Sequence, residues 1–279
     1  MPPMVRHEKG NNGLQRAVIT TPAAEAHVYL HGAHVTHYQR REERPVLFLS
    51  GKSLLEAGKP IRGGVPVIFP WFGPKADDPK APAHGVARLR EWAVESEGEA
   101  EICLVLRVEN PGSVLRYRVT VGERLEMALE VENNSAAAIR YEEALHTYFA
   151  VSDVRQVRVT GLAGAEYLDK LENFARKREQ HEWIWFAGEF NRIYPSTRAT
   201  CVISDPGWQR RIVVEKEGSD STVVWNPAVT QTRTLPDLGM DEWPRFVCIE
   251  TCNVGANAVT LPPGQRHVMQ ARIHPASES

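Results

Sequence analysis

One carboxylate, Glu250, stands inside the run Phe246–Asn253, F-V-C-I-E-T-C-N, whose length and composition predict a buried strand. A second apolar run, residues 141–151 (Y-E-E-A-L-H-T-Y-F-A-V), presents His146 in the same way. Taking a carboxylate out of water costs several kcal/mol unless something uses it. A histidine beside such a group can titrate near neutrality. Two proton-transfer groups, far apart in sequence and each set on strand-like scaffolding, can therefore serve as a base and an acid.

Two further segments could hold an anion. Residues 61–74, I-R-G-G-V-P-V-I-F-P-W-F-G-P, combine glycines and prolines with bulky rings, which predicts a rigid loop and not a strand interior. Arg62 stands beside Gly63 and Gly64, where the backbone does not obstruct its reach. Residues 82–91, P-A-H-G-V-A-R-L-R-E, place His84 and Arg88 on either side of Gly85. Two arginines from separate glycine-bearing loops can clamp a phosphate or carboxylate by charge-assisted, bidentate hydrogen bonds. The alternative is a pair of surface salt bridges, each worth little.

The scaffold for these residues is a succession of short apolar-alternating runs at 26–30, 33–38, 92–97, 102–108, 115–121, 125–131, 198–203, 211–214, 222–225, 246–251 and 267–273. Turn signals such as Asn110-Pro-Gly, Asp205-Pro-Gly and Pro262-Pro-Gly separate them. Many strands with frequent turns predict an all-β sandwich or barrel, and this many must divide into two large packed sheets. Helical periodicity is confined to a turn or two at 51–57 and 240–243, and the charged stretch 168–180 is ambiguous. With no linker, repeat or low-complexity tract, residues 1–279 read as one domain, with 1–12 expected to be flexible.

Lys plus Arg number 33 against 35 Asp plus Glu, so the net charge of −2 offers no general field for nucleic acid or an anionic membrane. Neither a signal peptide nor an apolar run of membrane-spanning length is present, which predicts a soluble, cytoplasmic protein. The four cysteines, Cys103, Cys201, Cys248 and Cys252, are too few for a secreted disulfide framework and read as buried thiols. The C-x3-C pair lacks a matching Cys/His pair for zinc. His27, His31, His34 and His37 do not keep to one face of a strand, so surface or satisfied core histidines are the better reading than a metal site. The motifs of phosphate-loop, dinucleotide-binding, zinc-protease and serine-hydrolase sites are all missing.

Taken in order, 61–74, A-H-G-V-A-R (83–88), A-L-H-T-Y-F (144–149), V-V-W-N-P (223–227) and V-C-I-E-T (247–251) make a set that resembles the hexose-6-phosphate mutarotases, or glucose-6-phosphate 1-epimerases, of the aldose 1-epimerase superfamily. The resemblance also takes in L-H-G-A-H-V-T (30–36) and runs over nearly the whole chain. It implies a galactose-mutarotase-like β-supersandwich of two large antiparallel sheets with the sugar on a concave face. It further implies His146 as general acid at the ring oxygen and Glu250 as general base at the anomeric hydroxyl. By the same likeness Arg62 and Arg88 engage the sugar phosphate, and His84 lies in the sugar site. Asn191, in G-E-F-N-R-I-Y (188–194), stands where that family usually carries an Asp that bonds sugar hydroxyls. Asn keeps an acceptor and adds donors but loses the charge.

The expected partner is a hexose 6-phosphate, with no nucleic acid, membrane, metal or redox cofactor called for. The oligomeric state is not legible, and a monomer is admissible. Two rival readings stay open: an aldose 1-epimerase acting on unphosphorylated sugar, and a catalytically silent carbohydrate-binding protein on the same sandwich.

Overall fold

Strand Leu125–Asn133 alternates buried and half-buried residues from end to end, the period-2 signature of a sheet with one face on the core. In the computed structural model, which describes residues 2–277, this strand lies within a nine-stranded antiparallel sheet. The order in that sheet is Trp183–Ile184, Arg158–Thr160, Cys201–Asp205, Arg210–Glu217, Arg266–Ser277, Leu125–Asn133, Ser113–Val121, Glu101–Val108, Ala93–Glu97. An eight-stranded sheet runs Ala175–Arg178, Glu166–Asp169, Phe190–Pro195, Ser221–Asn226, Phe246–Asn253, Glu143–Leu145, Val67–Ile68, with Tyr148–Ala150 also pairing with Phe246–Asn253.

The main core lies between these sheets: Phe149, Val247 and Ile249 from one meet Leu115, Leu129, Met269 and Ile273 from the other. The fold is thus the all-β, two-large-sheet arrangement, with two smaller sheets added to it. One pairs Ile139–Tyr141 with Val259–Leu261, and the other orders Met4–Lys9, Gln15–Thr20, Ala24–Tyr29 and His34–Arg40. The stretch 1–12 reads in sequence as a loose lead-in, yet Met4–Lys9 pairs along its full length with Gln15–Thr20.

The sparse helix differs in place from expectation. Residues 51–57 form turns and irregular chain, Trp243–Arg245 is a single 3-10 turn, and the α-helix among the described residues is Ala228–Thr232, which starts after Pro227. The charged stretch 168–180 forms two strands joined through Lys170–Glu172, with Asn173 and Phe174 at positive φ. An edge strand with charges on both faces, Ala-Arg-Lys-Arg, conceals its period from a hydrophobicity reading. Among the described residues no helix is long and apolar enough to cross a membrane.

Candidate active site

Every residue of Phe246–Asn253 is buried, because both faces of this strand are covered. Val247 and Ile249 enter the core between the sheets, while Phe246, Cys248 and Cys252 belong to a second cluster with Tyr148, Trp225 and Ile193. Strand alternation therefore sets Glu250 on the face of that second cluster.

The neighbouring run 141–151 breaks into short strands, with His146 and Thr147 between Glu143–Leu145 and Tyr148–Ala150. The break inserts no residue. On one side Leu145 pairs with Thr251, and on the other Tyr148 pairs with Cys248, the same offset. His146 stays opposite Glu250, and its Nε2 lies 3.3 Å from Glu250 Oε1.

Both groups are almost wholly out of water, with Glu250 1% and His146 8% exposed. Tyr148 stacks on the His146 imidazole at 5.0 Å, and Trp225 and His84 meet it edge-on at 5.8 and 5.7 Å. The ring is fixed on three sides. His146 Nδ1 and Glu250 Oε2 have no hydrogen-bond partner, which marks a buried site with polar capacity to spare. Burial pushes the Glu250 carboxyl well above the usual carboxylate range, against the pull of Lys170. Burial, then the neighbouring His84, Arg88 and Arg62, push His146 well below its ordinary value. Both groups are thus driven toward their neutral forms, and together they hold one transferable proton.

The two glycine-bearing loops close on this pair as one unit. His84 N–H donates to Gly73 O at 2.7 Å, Gly73 N–H to His84 Nδ1 at 3.2 Å, and the Trp71 indole to Pro82 O at 3.0 Å. Gly85, at φ 72°, sits so close to Phe69 that a Cβ would lie 2.0 Å from its carbonyl oxygen, so only glycine fits. His84 itself adopts φ 65°, a strained conformation of the kind that collects at functional sites. Burial, followed by Arg88, Lys170 and Arg62, lowers His84 to about 3, so its ring is neutral at physiological pH.

The two arginines differ. Arg62 donates through Nε to Asp237 Oδ1 at 3.1 Å, with Nη2 at ion-pair distance from the same oxygen, also 3.1 Å, and donates through Nη1 to Tyr148 Oη at 3.0 Å. Although burial opposes its charge, Tyr148 and Asp237 hold it firmly protonated. Arg88 has no carboxylate partner among the described residues. Its Nη2 donates to Ala83 O at 2.8 Å, its Nε is buried and unpartnered, and burial lowers its pKa to about 10. Neither arginine forms the exposed salt bridge that sequence left open: one is a buried pair, the other a guanidinium with donors to spare.

Asn191 pairs laterally with Trp225, and Trp225 with Cys248, so it lies on the Glu250 face two strands away. The structure thus brings His146, Glu250, His84, Arg62 and Arg88 around one place, with Asn191 further along the same face. Sequence reading missed Tyr148, Asp237, Phe72 and Lys170. Tyr148 was findable, standing two residues beyond His146 on the same strand face, whereas nothing local marks Asp237. Of the four clustered histidines, His27 and His37 pack ring against tilted ring, His31 bonds Lys59 O, and buried His34 bonds Gly63 O at 2.7 Å.

Residues 15–274 match the family model described as aldose 1-epimerase. A protein of Cenchrus ciliaris named "Putative glucose-6-phosphate 1-epimerase" is 32% identical over 284 residues, spanning 94% of this chain and 85% of that protein. The crystal structure of a Salmonella typhimurium protein titled a "putative mutarotase" superposes with a TM-score of 0.90 at 27% identity, covering 99% of this chain and 94% of that one. A galactose mutarotase-like protein from Clostridium acetobutylicum, with a TM-score of 0.76, 14% identity and 99% of each chain covered, shares the fold.

Proposed function

The chain belongs to the aldose 1-epimerase family, and from that premise we propose that it interconverts the α and β anomers of a hexose 6-phosphate, glucose 6-phosphate foremost, with Glu250 and His146 as the proton-transfer pair. The observation that carries this is the in-register His146–Glu250 contact at 3.3 Å, buried and partly unpartnered.

Glu250, as carboxylate, takes the proton of the anomeric hydroxyl while protonated His146 gives its proton to the ring oxygen. The O–H electrons form the C1 carbonyl, the C1–O5 pair leaves with O5, and the ring opens to the aldehyde. Rotation about C1–C2 presents the other carbonyl face. Reclosure returns one proton from Glu250 to O1 and another from the O5 hydroxyl to His146. The pair begins as imidazolium and carboxylate, becomes imidazole and carboxylic acid, and ends as it began. One resident proton suffices, and the neutral state that burial favours is the one that accompanies the open chain.

A phosphomonoester carries about −1.5 to −2 charge near neutral pH. Arg88, with unused donors, and Arg62, braced by Asp237 and Tyr148, are the groups to receive it. Its charge would offset the two arginines that depress His146, so binding of the remote group favours the imidazolium that the first step needs. His84 and Asn191 are assigned to the sugar itself. One observation favours the alternative of a free aldose: Asp237 already pairs with Arg62.

Exchange NMR on equilibrated glucose 6-phosphate and on glucose, with and without protein, separates the readings. Acceleration restricted to the phosphate is expected. Acceleration of glucose alone assigns the free sugar, and sugar binding without exchange assigns a carbohydrate-binding protein.

A further inference from the structure

Strand Glu166–Asp169 enters the site through one lateral row: Leu168 pairs with Ile193, Ile193 with Val223, and Val223 with Glu250. The chain then turns through Lys170–Glu172, fixed by Asp169 Oδ1 accepting from Leu171 N–H at 3.1 Å. The two acidic neighbours of Lys170 in this turn are both taken by another cation: Lys177 Nζ bonds Asp169 Oδ2 at 3.0 Å and also pairs with Glu172. Lys170 is left with no carboxylate within ion-pair distance among the described residues. Its Nζ instead sits 5.5 Å from the Phe72 ring centre and 6.0 Å from that of Phe174, within cation–π range. Phe72 abuts His84 edge-on at 4.9 Å, and His84 abuts His146. The ammonium is therefore built into the wall of the site, and nothing local consumes its charge.

We propose that Lys170 is a positioning residue of this site, whose ammonium favours the proton-accepting carboxylate form of Glu250 against the burial that disfavours it. The inference rests on the reading of Glu250 as the base. The groups that act with Glu250 are His146 and Tyr148 from the adjoining strands, Cys248 and Cys252 from its own strand, and Lys170 from the turn. Lys170 is the cation of that set; burial lowers its own pKa, Glu250 works against that lowering, and Lys170 in turn opposes the effect of burial on Glu250. Arg62 and Arg88 bear on His146. The two sets of cations thus bear on opposite ends of the pair, both favouring the proton's departure from the group they face.

Removing a cation stabilises every protonated form of the pair, so both limbs of its pH profile move upward. Carboxyl-carbon NMR of the free protein, with the Glu250 signal assigned by its loss in Glu250→Gln, is read across pH in the wild type, Lys170→Met and Lys170→Arg. Expected is an upward move of the Glu250 midpoint by about 1 pH unit in Lys170→Met, with Lys170→Arg returning it to the wild-type position. The kcat/KM profile for glucose 6-phosphate should move equally, since the substrate's own ionisation is common to all three proteins. Coincident NMR titrations overturn the proposal, even if Lys170→Met is slower. A shifted titration in a protein that exchanges no anomers leaves Lys170 in its role and removes the proposed function instead.

Discussion

On the nine-stranded sheet, Leu125–Asn133 buries every second residue, and the outward face carries charge cheaply: Arg116 binds Glu95, Glu130 and Glu132 at 2.9, 3.2 and 2.7 Å in water's reach. On the eight-stranded sheet, Phe246–Asn253 is buried at all positions, yet Glu250 and Asn253 lie within it and Glu143 and His146 beside it. The first arrangement solubilises a face for a small cost in side-chain entropy. The second imposes desolvation on each polar group, and only chemistry or a complete hydrogen-bond network offsets that. Glu143 shows the network solution at one oxygen: Oε1 accepts from Asn253 Nδ2 at 2.8 Å and from His267 Nε2 at 3.0 Å, while Oε2 stays unpartnered. Glu250 and His146, whose side chains face each other and hydrogen-bond no further side chain among the described residues, show the chemical one.

The contrast breaks most decisively at Glu250. Glu250→Gln keeps the shape and should lower kcat for anomer exchange by about 10² to 10⁴, with the melting temperature unchanged or raised; wild-type turnover would return the carboxylate to a structural role. Next in size, Arg88→Ala should raise KM for glucose 6-phosphate by about ten- to a hundredfold, the loss of one charge-assisted contact. Glucose should be little affected, and equal effects on both sugars would remove Arg88 from phosphate recognition.

His267 sharpens the comparison, because it comes from the nine-stranded sheet and reaches the buried Glu143 of the other. The hydrogen bond to Glu143 raises its pKa above the ordinary 6.5. Its stabilisation is therefore fully present below pH 6.5 and fades as pH climbs through the raised value. The melting-temperature deficit of His267→Gln should accordingly be widest in mild acid and narrow in alkali; a deficit flat with pH would show that packing alone joins the sheets there. Smallest is Arg116→Ala, expected to cost about 1 kcal/mol or less in a urea titration and to leave exchange rates alone. A loss of several kcal/mol would mean that the outward face is not the inexpensive one.

Alternation made most of the nine-stranded sheet legible, since Leu125–Asn133 and Ser113–Val121 advertise one wet face. The short strands of the other sheet hid. Val67–Ile68 lies in a glycine and proline loop, Ala175–Arg178 is charged on both faces, and Glu143–Leu145 and Tyr148–Ala150 merged into one apparent run. The acid and base stood out as polar residues in apolar runs, and their facing geometry required the register. Asp237 and Lys170 could not be read, because the first comes from an irregular segment and the second matters only once Lys177 is seen to occupy the neighbouring carboxylates.

The equal pairing offsets on the two sides of His146 also bear on how this site could be redesigned. A single residue inserted or deleted between Leu145 and Tyr148 would break the shared offset, so that one flanking strand would have to turn its side chains to the opposite face. The spacing of the two groups is thus quantised by the ladder and cannot be tuned in small steps. Substrates of other ring size or stereochemistry would have to be accommodated by reshaping the loops around a fixed pair, which makes 61–74 and 82–91 the segments to diversify and 143–151 the one to leave intact.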